Sequence, residues 1–439
     1  MTTADTALSR FAFRVLGVER REYVAVLWSF AYFFCLLAAY YMLRSVRETM
    51  AIVSGVENIP WLYTGTFTVM LLATPVFGWI ASRFPRRTFL PWVYYFFIAN
   101  ILLFFAAFTV PGEALDTVWV ARAFFVWLSV FNLFVVSVFW SFMVDIYSRE
   151  QSRRLFGIIS AGGSTGAFLG PLLTSVVVVP IGWENLLPLA ALLLAVAVYC
   201  VHRLRRWSHA QAAQEGGPPP GGSRPLGGSA LAGVRLVLTT PYLAAIAGAQ
   251  AFVNILGVAI YVYMAQLVSQ SFPDTDQQTR VFALIDACSN ILAFVGQLLL
   301  VKLAVQRLGM AMTLAILPLV TLVGFALLAA NPVFIVIAAF QVVRRGIGYG
   351  ISKPATDMLY SVVSREAKYK AKNFVETAVW RGSDLVGVWT VRLMSGLGLT
   401  GVALACVPLA ALWSVVAMWI GRDYRRRGGY EEALAHEQS

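Results

Sequence analysis

Charged residues are scarce in this sequence, and so are the side chains that most enzymes use for chemistry. Only 13% of the 439 residues are charged, against about a quarter in a typical soluble domain, while 59% are hydrophobic. Each of the four cysteines stands alone in an apolar segment, so the spacing of a zinc site or of a disulfide framework is missing. This composition predicts an integral membrane protein that holds no metal ion.

Motifs for catalysis and for nucleic-acid binding are missing as well. The chain has no GxxxxGK[ST] phosphate-binding loop and therefore encodes no ATPase motor. The net charge is +12, but the basic residues are spread over short loops rather than gathered on one face. We therefore expect no enzymatic activity, no cofactor and no nucleic-acid partner.

Long apolar segments dominate the chain instead. A helix that crosses a membrane needs about 20 apolar residues. About twelve segments meet this requirement, near 23–43, 61–82, 88–109, 118–143, 155–179, 184–201, 242–267, 281–301, 311–330, 333–357, 373–396 and 400–420. The predicted fold is all-α, with about twelve transmembrane helices.

One segment without apolar runs divides these helices into two groups of six. Residues 202–235 are rich in proline, glycine and serine, which is typical of a flexible, water-exposed linker. We expect six-helix halves over 1–201 and 236–439, the second with a basic tail. The tripeptide Ser-Arg-Glu at 148–150 recurs at 364–366, at the same loop of each half. This placement indicates an internal duplication, and such repeats place the substrate site near the middle of the membrane.

The distribution of lysine and arginine predicts the orientation. Most of the 34 basic residues fall on one side of the membrane if the N-terminus is cytoplasmic, while the opposite loops hold mainly acids. By the positive-inside rule both termini are cytoplasmic, in a cell (inner) membrane. The basic N-terminus lacks the apolar core and cleavage site of a signal peptide, so we expect the first helix to target the chain.

Buried charges mark the run from 344 to 392 as the candidate site. Arg344 and Arg345 lie in the tenth predicted helix, with Tyr349 one turn further on, and Arg381 and Asp384 lie in the eleventh. A charge deep in hydrocarbon costs about 3 kcal/mol or more, so such residues face a cavity or a partner. Arginine binds planar carboxylates and phosphates, which favours an anionic ligand. The alternative is an internal ion pair, for which Arg381 and Asp384 have the i, i+3 spacing.

Further polar residues lie in other predicted helices. Arg47 and Glu48 end the first helix, where they would form a gate or simply reach toward water. Asn254 lies in the seventh helix and is a candidate for substrate binding or for a contact between helices. Asp286 lies in the eighth helix, where a carboxylate could relay a proton.

Two glycine-containing segments resemble motifs of the major facilitator superfamily. The sequence GWIASRFPRR at 78–87 is similar to the loop between the second and third helices of that superfamily. The glycines at 157, 166 and 170, followed by a proline at 171, are similar to the first part of its fifth-helix antiporter motif. Small residues of this kind also allow simple close packing of helices. The resemblance implies the two-half fold of that superfamily.

A third resemblance is to the ATP/ADP translocases, nucleotide transporters of plastids and intracellular bacteria. It is carried by KPATDMLYSVVSREAKYKAKNFVETAVWRGSDL at 353–385 and by LRSVRETMAI at 43–52. It implies nucleotide exchange, with roles for the pair Arg47-Glu48 and for a lysine that falls on Lys370 or Lys372. The chain departs from that family at two positions. The family has glutamates in its fourth and seventh helices, and these align near Leu128 and Gly257 of this chain.

These observations together predict a secondary transporter that works by alternating access. The expected substrate is an organic or phosphorylated anion, with nucleotides favoured by the resemblance, and the expected partners are this small anion and the lipid bilayer, with the protein a monomer. Two alternatives stay open. One is a proton-coupled carrier of another small molecule that uses Asp286, and the other is a membrane scaffold or sensor that does not transport.

Overall fold

Helices account for nearly all of the chain that can be described. The computed structural model describes residues 18–19, 21–83, 86–109, 116–215 and 230–428, and within these ranges there is no β-strand. The α-helices of these ranges are α1 Tyr23–Val53, α2 Ile59–Arg83, α3 Arg86–Thr109, α4 Thr117–Ile146, α5 Arg149–Ile181, α6 Leu186–Glu215, α7 Ala230–Thr239, α8 Pro241–Ser271, α9 Thr275–Val295, α10 Val301–Ala330, α11 Phe334–Ile347, α12 Lys353–Met358, α13 Arg365–Phe374, α14 Trp380–Leu393 and α15 Gly398–Arg426.

Three π-helical turns interrupt or join these helices. They lie at Gly296–Leu300 between α9 and α10, at Gly348–Ser352 between α11 and α12, and at Val375–Val379 between α13 and α14. A π turn adds a residue to the helical repeat, so side chains before and after it no longer follow the 100° spacing of an α-helix. A helix face inferred from the 100° spacing is therefore valid only within one α-helical segment.

The number of spanning helices agrees with the prediction of about twelve. Within the described ranges, ten continuous helical segments are long and apolar enough to cross a membrane. One of them, Thr275–Ala330, has 56 residues and contains both the eighth and the ninth predicted helices, with a break at Gly309, whose φ is +75°. The eleventh predicted helix is also helical, but its charged residues keep it out of this group. The predicted all-α membrane fold is confirmed.

Two compact units divide the described helices. Unit 1 comprises 1–54, 68–225 and 274–287, and unit 2 comprises 55–67, 226–273 and 288–439. Each unit therefore contains a short piece of the opposite half of the sequence. The predicted linker over 202–235 is partly helical, because α6 continues to Glu215 and α7 begins at Ala230, while 216–229 lies outside the described residues.

Unit 1 is built around α1, which packs closely on α5. Atoms added at the Cβ positions of Gly166 and Gly170 would lie only 2.3 Å from the carbonyl oxygen of Phe34 and 2.7 Å from that of Ala38. Only glycine permits this approach of two helix backbones. The 157–171 motif thus serves close packing, although Gly157 itself has nothing within 4 Å of its added Cβ. The loop motif at 78–87 lies where side chains are outside the described residues.

Aromatic residues fill the core of unit 1. Phe33 stacks on Phe139 with ring centroids 4.0 Å apart, and Tyr32 packs edge-on against the same ring. The buried hydroxyls of Tyr32 and Tyr94 hydrogen-bond to each other, and the Tyr94 hydroxyl also donates to the carbonyl of Val135 at 3.3 Å. Both of these buried tyrosine hydroxyls therefore have a hydrogen-bond partner, as a well-packed interior requires.

Unit 2 brings backbones together in a similar way, but between several different pairs of segments. The Cβ position of Gly421 in α15 lies 2.3 Å from the Cα of Ala311 in α10, and that of Gly387 in α14 lies 2.9 Å from the Cα of Ile255 in α8. The π turns at 296–300 and 348–352 also meet, with Gly350 Cα 3.1 Å from the Cβ position of Gly296. The Gly387 contact holds α14 beside α8, and these two helices together with α11 carry half of the predicted site residues.

Candidate functional site

A cluster of four charged residues lies where α1 ends in unit 1, and we call it the Arg44 cluster. Arg47 Nη2 is 2.6 Å from Glu48 Oε1, and Arg44 Nε is 3.5 Å from the same oxygen. Arg44 Nε is also 3.6 Å from Asp286 Oδ2 in α9. Two arginines thus face two carboxylates, and the formal charge of the cluster is zero.

Neighbouring residues hold the Arg44 cluster in place. The guanidinium of Arg47 lies over the ring of Phe125 with 4.9 Å to its centroid, a distance typical of a cation–π contact. The hydroxyls of Thr49 and Thr279 lie 2.8 Å apart, which ties α1 to the first turn of α9. The i, i+4 spacing of Arg44 and Glu48 was visible in the sequence, whereas the link to Asp286, more than two hundred residues away, was not.

Asp286 is therefore an ion-pair partner in this structure. Its residue exposure is only 3%, and its carboxylate faces the Arg44 guanidinium. The Arg44 guanidinium supplies the opposite charge that a buried carboxylate needs. A proton relay through Asp286 stays a hypothesis. In this structure its carboxylate pairs with Arg44.

A second network in unit 1 surrounds Glu22 just before α1. Its carboxylate is fully buried and accepts hydrogen bonds from the Glu19 amide at 2.9 Å, from Gln151 Nε2 at 2.9 Å and from Arg154 Nη2 at 3.1 Å. Gln151 also completes a capping box with Ser148 at the start of α5. Burial alone would raise the pKa of Glu22, but these hydrogen bonds and the Arg154 charge lower it below its ordinary value.

Arg344 in unit 2 differs from these arginines. Its side chain comes from α11, and the residue is only 7% exposed. Nη2 donates a hydrogen bond to the Val253 carbonyl of α8 at 2.5 Å, while Nε is buried without a hydrogen-bond partner. Within the part of the chain that the structure describes, no carboxylate lies within 4 Å of its guanidinium. Arg344 is thus a buried cation whose charge is not balanced locally.

Arg345 and Tyr349 lie next to Arg344 along the chain. Arg345 is partly buried, and Tyr349, in the π turn at 348–352, is 45% exposed. The Tyr349 carbonyl accepts a hydrogen bond from Gln297 Nε2 at 3.0 Å. Arg345 and Tyr349 are four residues apart, which places them on one face of a regular α-helix, but the π turn that contains Tyr349 changes that spacing.

Arg381 and Asp384 lie together in α14. Arg381 Nη1 is 3.9 Å from Asp384 Oδ2, at the i, i+3 spacing that the sequence analysis gave as its alternative to a ligand contact. The Arg381 side chain is 40% exposed, so its pairing with Asp384 is loose and screened by solvent. The geometry leaves Arg381 donors available for a further partner.

Four charged residues form a closed network that we call the Lys353 cluster. Lys372 Nζ is 2.8 Å from Asp357 Oδ1, and Lys353 Nζ is 3.2 Å from the same oxygen. Lys353 also pairs with Glu376, and Lys372 lies 3.9 Å from that carboxylate. Two lysines are matched by two acids, so the charge of Lys372 is balanced within the protein. The i, i+4 spacing of Lys353 and Asp357 was a signal in the sequence that pointed to this network.

Asn254 joins two helices of unit 2. Its amide Nδ2 donates to the Trp380 carbonyl of α14 at 3.1 Å, and its Oδ1 accepts from Gln250 Nε2 at 3.3 Å. Asn254 is 6% exposed, and both ends of its side-chain amide have protein partners. The helix contact considered in the sequence analysis is therefore present.

Comparison with known protein families decides the class of this protein. The family model of the Major Facilitator Superfamily matches residues 23–373 of the 439. This chain belongs to the Major Facilitator Superfamily. This major facilitator protein is therefore a multi-pass membrane protein and a secondary transporter, not an enzyme, and it acts on a small-molecule substrate in a lipid bilayer.

Solved structures of other transporters share its fold. A bacterial homologue of the iron transporter ferroportin superimposes with a TM-score of 0.65 at 12% identity, over 92% of this chain and 98% of the other. The nucleoside transporter NupG superimposes with a TM-score of 0.60 at 13% identity, over 90% and 99%. A D-xylose–proton symporter gives 0.60 at 12% identity, over 90% and 95%. At these identities the similarity concerns the fold alone.

One curated relative is similar to part of this chain. Over 155 residues this major facilitator protein is 26% identical to the ADP,ATP carrier protein 2 of Chlamydia pneumoniae. The match covers 28% of this chain and 28% of the carrier, so it spans well under two thirds of that relative.

Proposed function

We propose that this transporter carries an anionic solute, with nucleotides of the ATP/ADP type as the leading substrate. The observation that supports an anion most directly is Arg344, a buried guanidinium in α11 with no carboxylate within 4 Å in the described residues. Inside a membrane protein such a charge needs a partner, and a transported anion supplies one. The nucleotide substrate rests on the partial similarity to the ADP,ATP carrier and on the resemblance at 353–385.

The proposed site residues differ in how well their surroundings suit a ligand. Arg344 is the principal candidate, because no carboxylate of the described residues lies within 4 Å of its guanidinium, and Arg345 is the next residue on the same turn of α11. Arg381 pairs loosely with Asp384, and Tyr349 is exposed, so both can contribute further contacts. The remaining candidates, whose charges or amides already have protein partners, are Asp384, Arg47, Glu48, Lys372 and Asn254.

We propose transport by alternating access, in which the site opens to one side of the membrane at a time. We also propose that both termini lie on the cytoplasmic side of the cell (inner) membrane and that the protein is a monomer. Fusions of a reporter that is active only in the cytoplasm to each terminus test the orientation, and active reporters at both ends are expected.

The function is tested by uptake of labelled ATP into proteoliposomes. Three preparations are compared: vesicles preloaded with ADP, with uncharged adenosine, and with buffer alone. Uptake that depends on internal ADP, and not on adenosine, supports exchange of charged nucleotides. If folded protein gives no more ATP uptake than protein-free vesicles, the nucleotide substrate is wrong, and if no anion in a wider panel is transported, the anionic substrate class is wrong.

A second candidate function is proton-coupled transport through Asp286. The observation in its favour is a carboxylate that is only 3% exposed within a spanning helix. It predicts uptake that is driven by an inward proton gradient and lost in Asp286→Asn. Exchange that proceeds equally with and without a pH gradient would exclude this function.

A further inference from the structure

Gly257 in α8 is the residue that Arg344 packs against. An atom added at the Cβ position of Gly257 would lie 3.1 Å from Arg344 Nη1 and 3.1 Å from Nη2, with Cζ at 3.5 Å. Both terminal nitrogens are thus equally close to the missing side chain. Because residue 257 has no side chain, the guanidinium lies directly over the backbone of α8, beside the Val253 carbonyl to which it donates.

Among the residues that the structure describes, the groups around the guanidinium offer it no negative charge. The ionisable side chains close enough to act on Arg344 are Tyr349 and Arg345, and neither is a carboxylic acid. Arg345 adds a second positive charge to the same turn of α11. Of the five N–H donors of Arg344, one hydrogen bond to a protein acceptor is formed, at Val253, and Nε is buried without an acceptor.

We propose that Gly257 determines anion binding by leaving the Arg344 guanidinium without an internal counter-charge. A carboxylate on residue 257 would lie against both terminal nitrogens and would occupy the guanidinium as an internal anion. With glycine there, the guanidinium keeps its charge and its donors for a carboxylate or phosphate group of the solute. This proposal rests on the proposed transport of an anion and assigns its recognition to one pair of residues.

The steric cost of a small side chain at residue 257 is low. The 3.1 Å distance from the added Cβ to the Arg344 nitrogens is shorter than most Cβ contacts in proteins. These nitrogens are the end of a flexible side chain, however, which can move by a few tenths of an ångström. Gly257→Ala therefore tests the added atom alone. Gly257→Asn and Gly257→Asp have nearly the same shape and differ in charge, so their comparison isolates the counter-charge.

The first experiment needs no ligand. The thermal unfolding midpoints of purified Gly257→Asp and Gly257→Asn are measured at low salt, without added multivalent anions. We expect a higher midpoint for the aspartate variant, because its carboxylate pairs with Arg344. If the asparagine variant is equally or more stable, or if the same difference persists when Arg344→Gln is added to both, the proposal is overturned.

The second experiment measures anion binding by the same variants. The thermal unfolding midpoint is measured at increasing concentrations of ATP, of inorganic pyrophosphate and of succinate, at constant ionic strength. Comparing these anions separates phosphate recognition from carboxylate recognition. We expect Gly257→Asp and Arg344→Gln to weaken binding of the preferred anion about tenfold or more, and Gly257→Asn to weaken it about threefold or less.

The outcomes of the binding experiment separate the two proposals. If the wild type binds one of these anions and Gly257→Asp and Gly257→Asn bind it equally, the role of Gly257 is wrong while anion transport stands. If Arg344→Gln binds as well as the wild type, the guanidinium is not the anion site. If the wild type is stabilised by none of the three anions, the Arg344 site proposed here is wrong, whereas the anionic substrate class is overturned only by the wider panel of the uptake assay.

Discussion

In unit 1 the arginines at the end of α1 each have a carboxylate within 4 Å, whereas Arg344 in unit 2 has none among the described residues. The units also differ in backbone geometry, since the π turns of the described residues all lie in unit 2. π turns occur frequently at functional sites because they shift side chains out of the regular repeat. The comparison indicates that the Arg44 cluster balances its buried charges internally, while Arg344 is left as a buried positive charge for a partner.

The largest effect is expected from disturbing the close packing of unit 1. Gly166→Ala would place a carbon atom 2.3 Å from the Phe34 carbonyl oxygen, so α1 and α5 must move apart. We expect a loss of about 3 kcal/mol or more in the free energy of unfolding, because the obstacle is backbone. The measurement is thermal unfolding in detergent.

Gly157→Ala is the matched control on the same helix, since no atom of the described residues lies within 4 Å of its added Cβ. It should be neutral or slightly stabilising, by up to about 1 kcal/mol, as alanine favours the helix more than glycine does. Equal behaviour of the two variants would contradict the packing of α1 on α5.

The next effect concerns the charge balance of the Arg44 cluster. Asp286→Asn removes one of the two carboxylates near Arg44 and leaves the cluster with one excess positive charge. We expect the free energy of unfolding to fall by about 2 kcal/mol, because Arg44 keeps Glu48 but loses Asp286.

Arg44→Gln combined with Asp286→Asn gives the control for that prediction. If the two residues interact, the double variant should be less destabilised than the sum of the single variants. Strict additivity would mean that the 3.6 Å approach carries no coupling.

A smaller effect that depends on pH is expected at Glu22. Its pKa is lowered in the folded protein, so its contribution to stability is complete above the ordinary carboxylate pKa and is lost as the pH falls through the lower folded value. Glu22→Gln should therefore be less stable than the wild type by about 1–2 kcal/mol at pH 7.

The gap between Glu22→Gln and the wild type should narrow as the pH falls below the ordinary carboxylate value. Unfolding midpoints of both proteins across acidic pH test this. A gap that stays constant or widens on acidification would show that the Arg154 and Gln151 contacts do not stabilise the charged carboxylate.

The smallest effect is expected in the Lys353 cluster of unit 2. Lys372 and Asp357 are 2.8 Å apart, but their side chains are 32% and 38% exposed. Solvent screens such a pair, so a double-mutant cycle with Lys372→Gln and Asp357→Asn should give a coupling of about 0.2–1 kcal/mol. A coupling well above this range would mean that unit 2 also relies on internal charge balance.

The membrane fold could be predicted from the sequence because it depends on local properties. Segments of about 20 apolar residues and the biased placement of lysine and arginine do not require knowledge of tertiary contacts. The i, i+3 and i, i+4 pairs, Arg381 with Asp384 and Arg44 with Glu48, were also visible, because α-helical spacing brings such residues together.

Contacts between distant segments could not be predicted in this way. The pairing of Arg44 with Asp286 and the packing of Arg344 on Gly257 join residues far apart in the chain. The π turn at 348–352 changes the spacing expected for Tyr349, and apolar periodicity does not distinguish such a turn from an α-helix. The continuation of α6 into the predicted linker could not be predicted either, because outside apolar segments composition says little about helix packing.

The central claim is that Arg344 is a buried charge reserved for an anionic solute, and ligand-free stability tests it most directly. Arg344→Gln and Arg47→Gln are compared with the wild type by thermal unfolding in buffer without multivalent anions. We expect Arg47→Gln to be less stable, because it leaves Glu48 short of a partner, and Arg344→Gln to be at least as stable as the wild type. If Arg344→Gln instead loses as much stability as Arg47→Gln, Arg344 is balanced within the protein and the claim is contradicted.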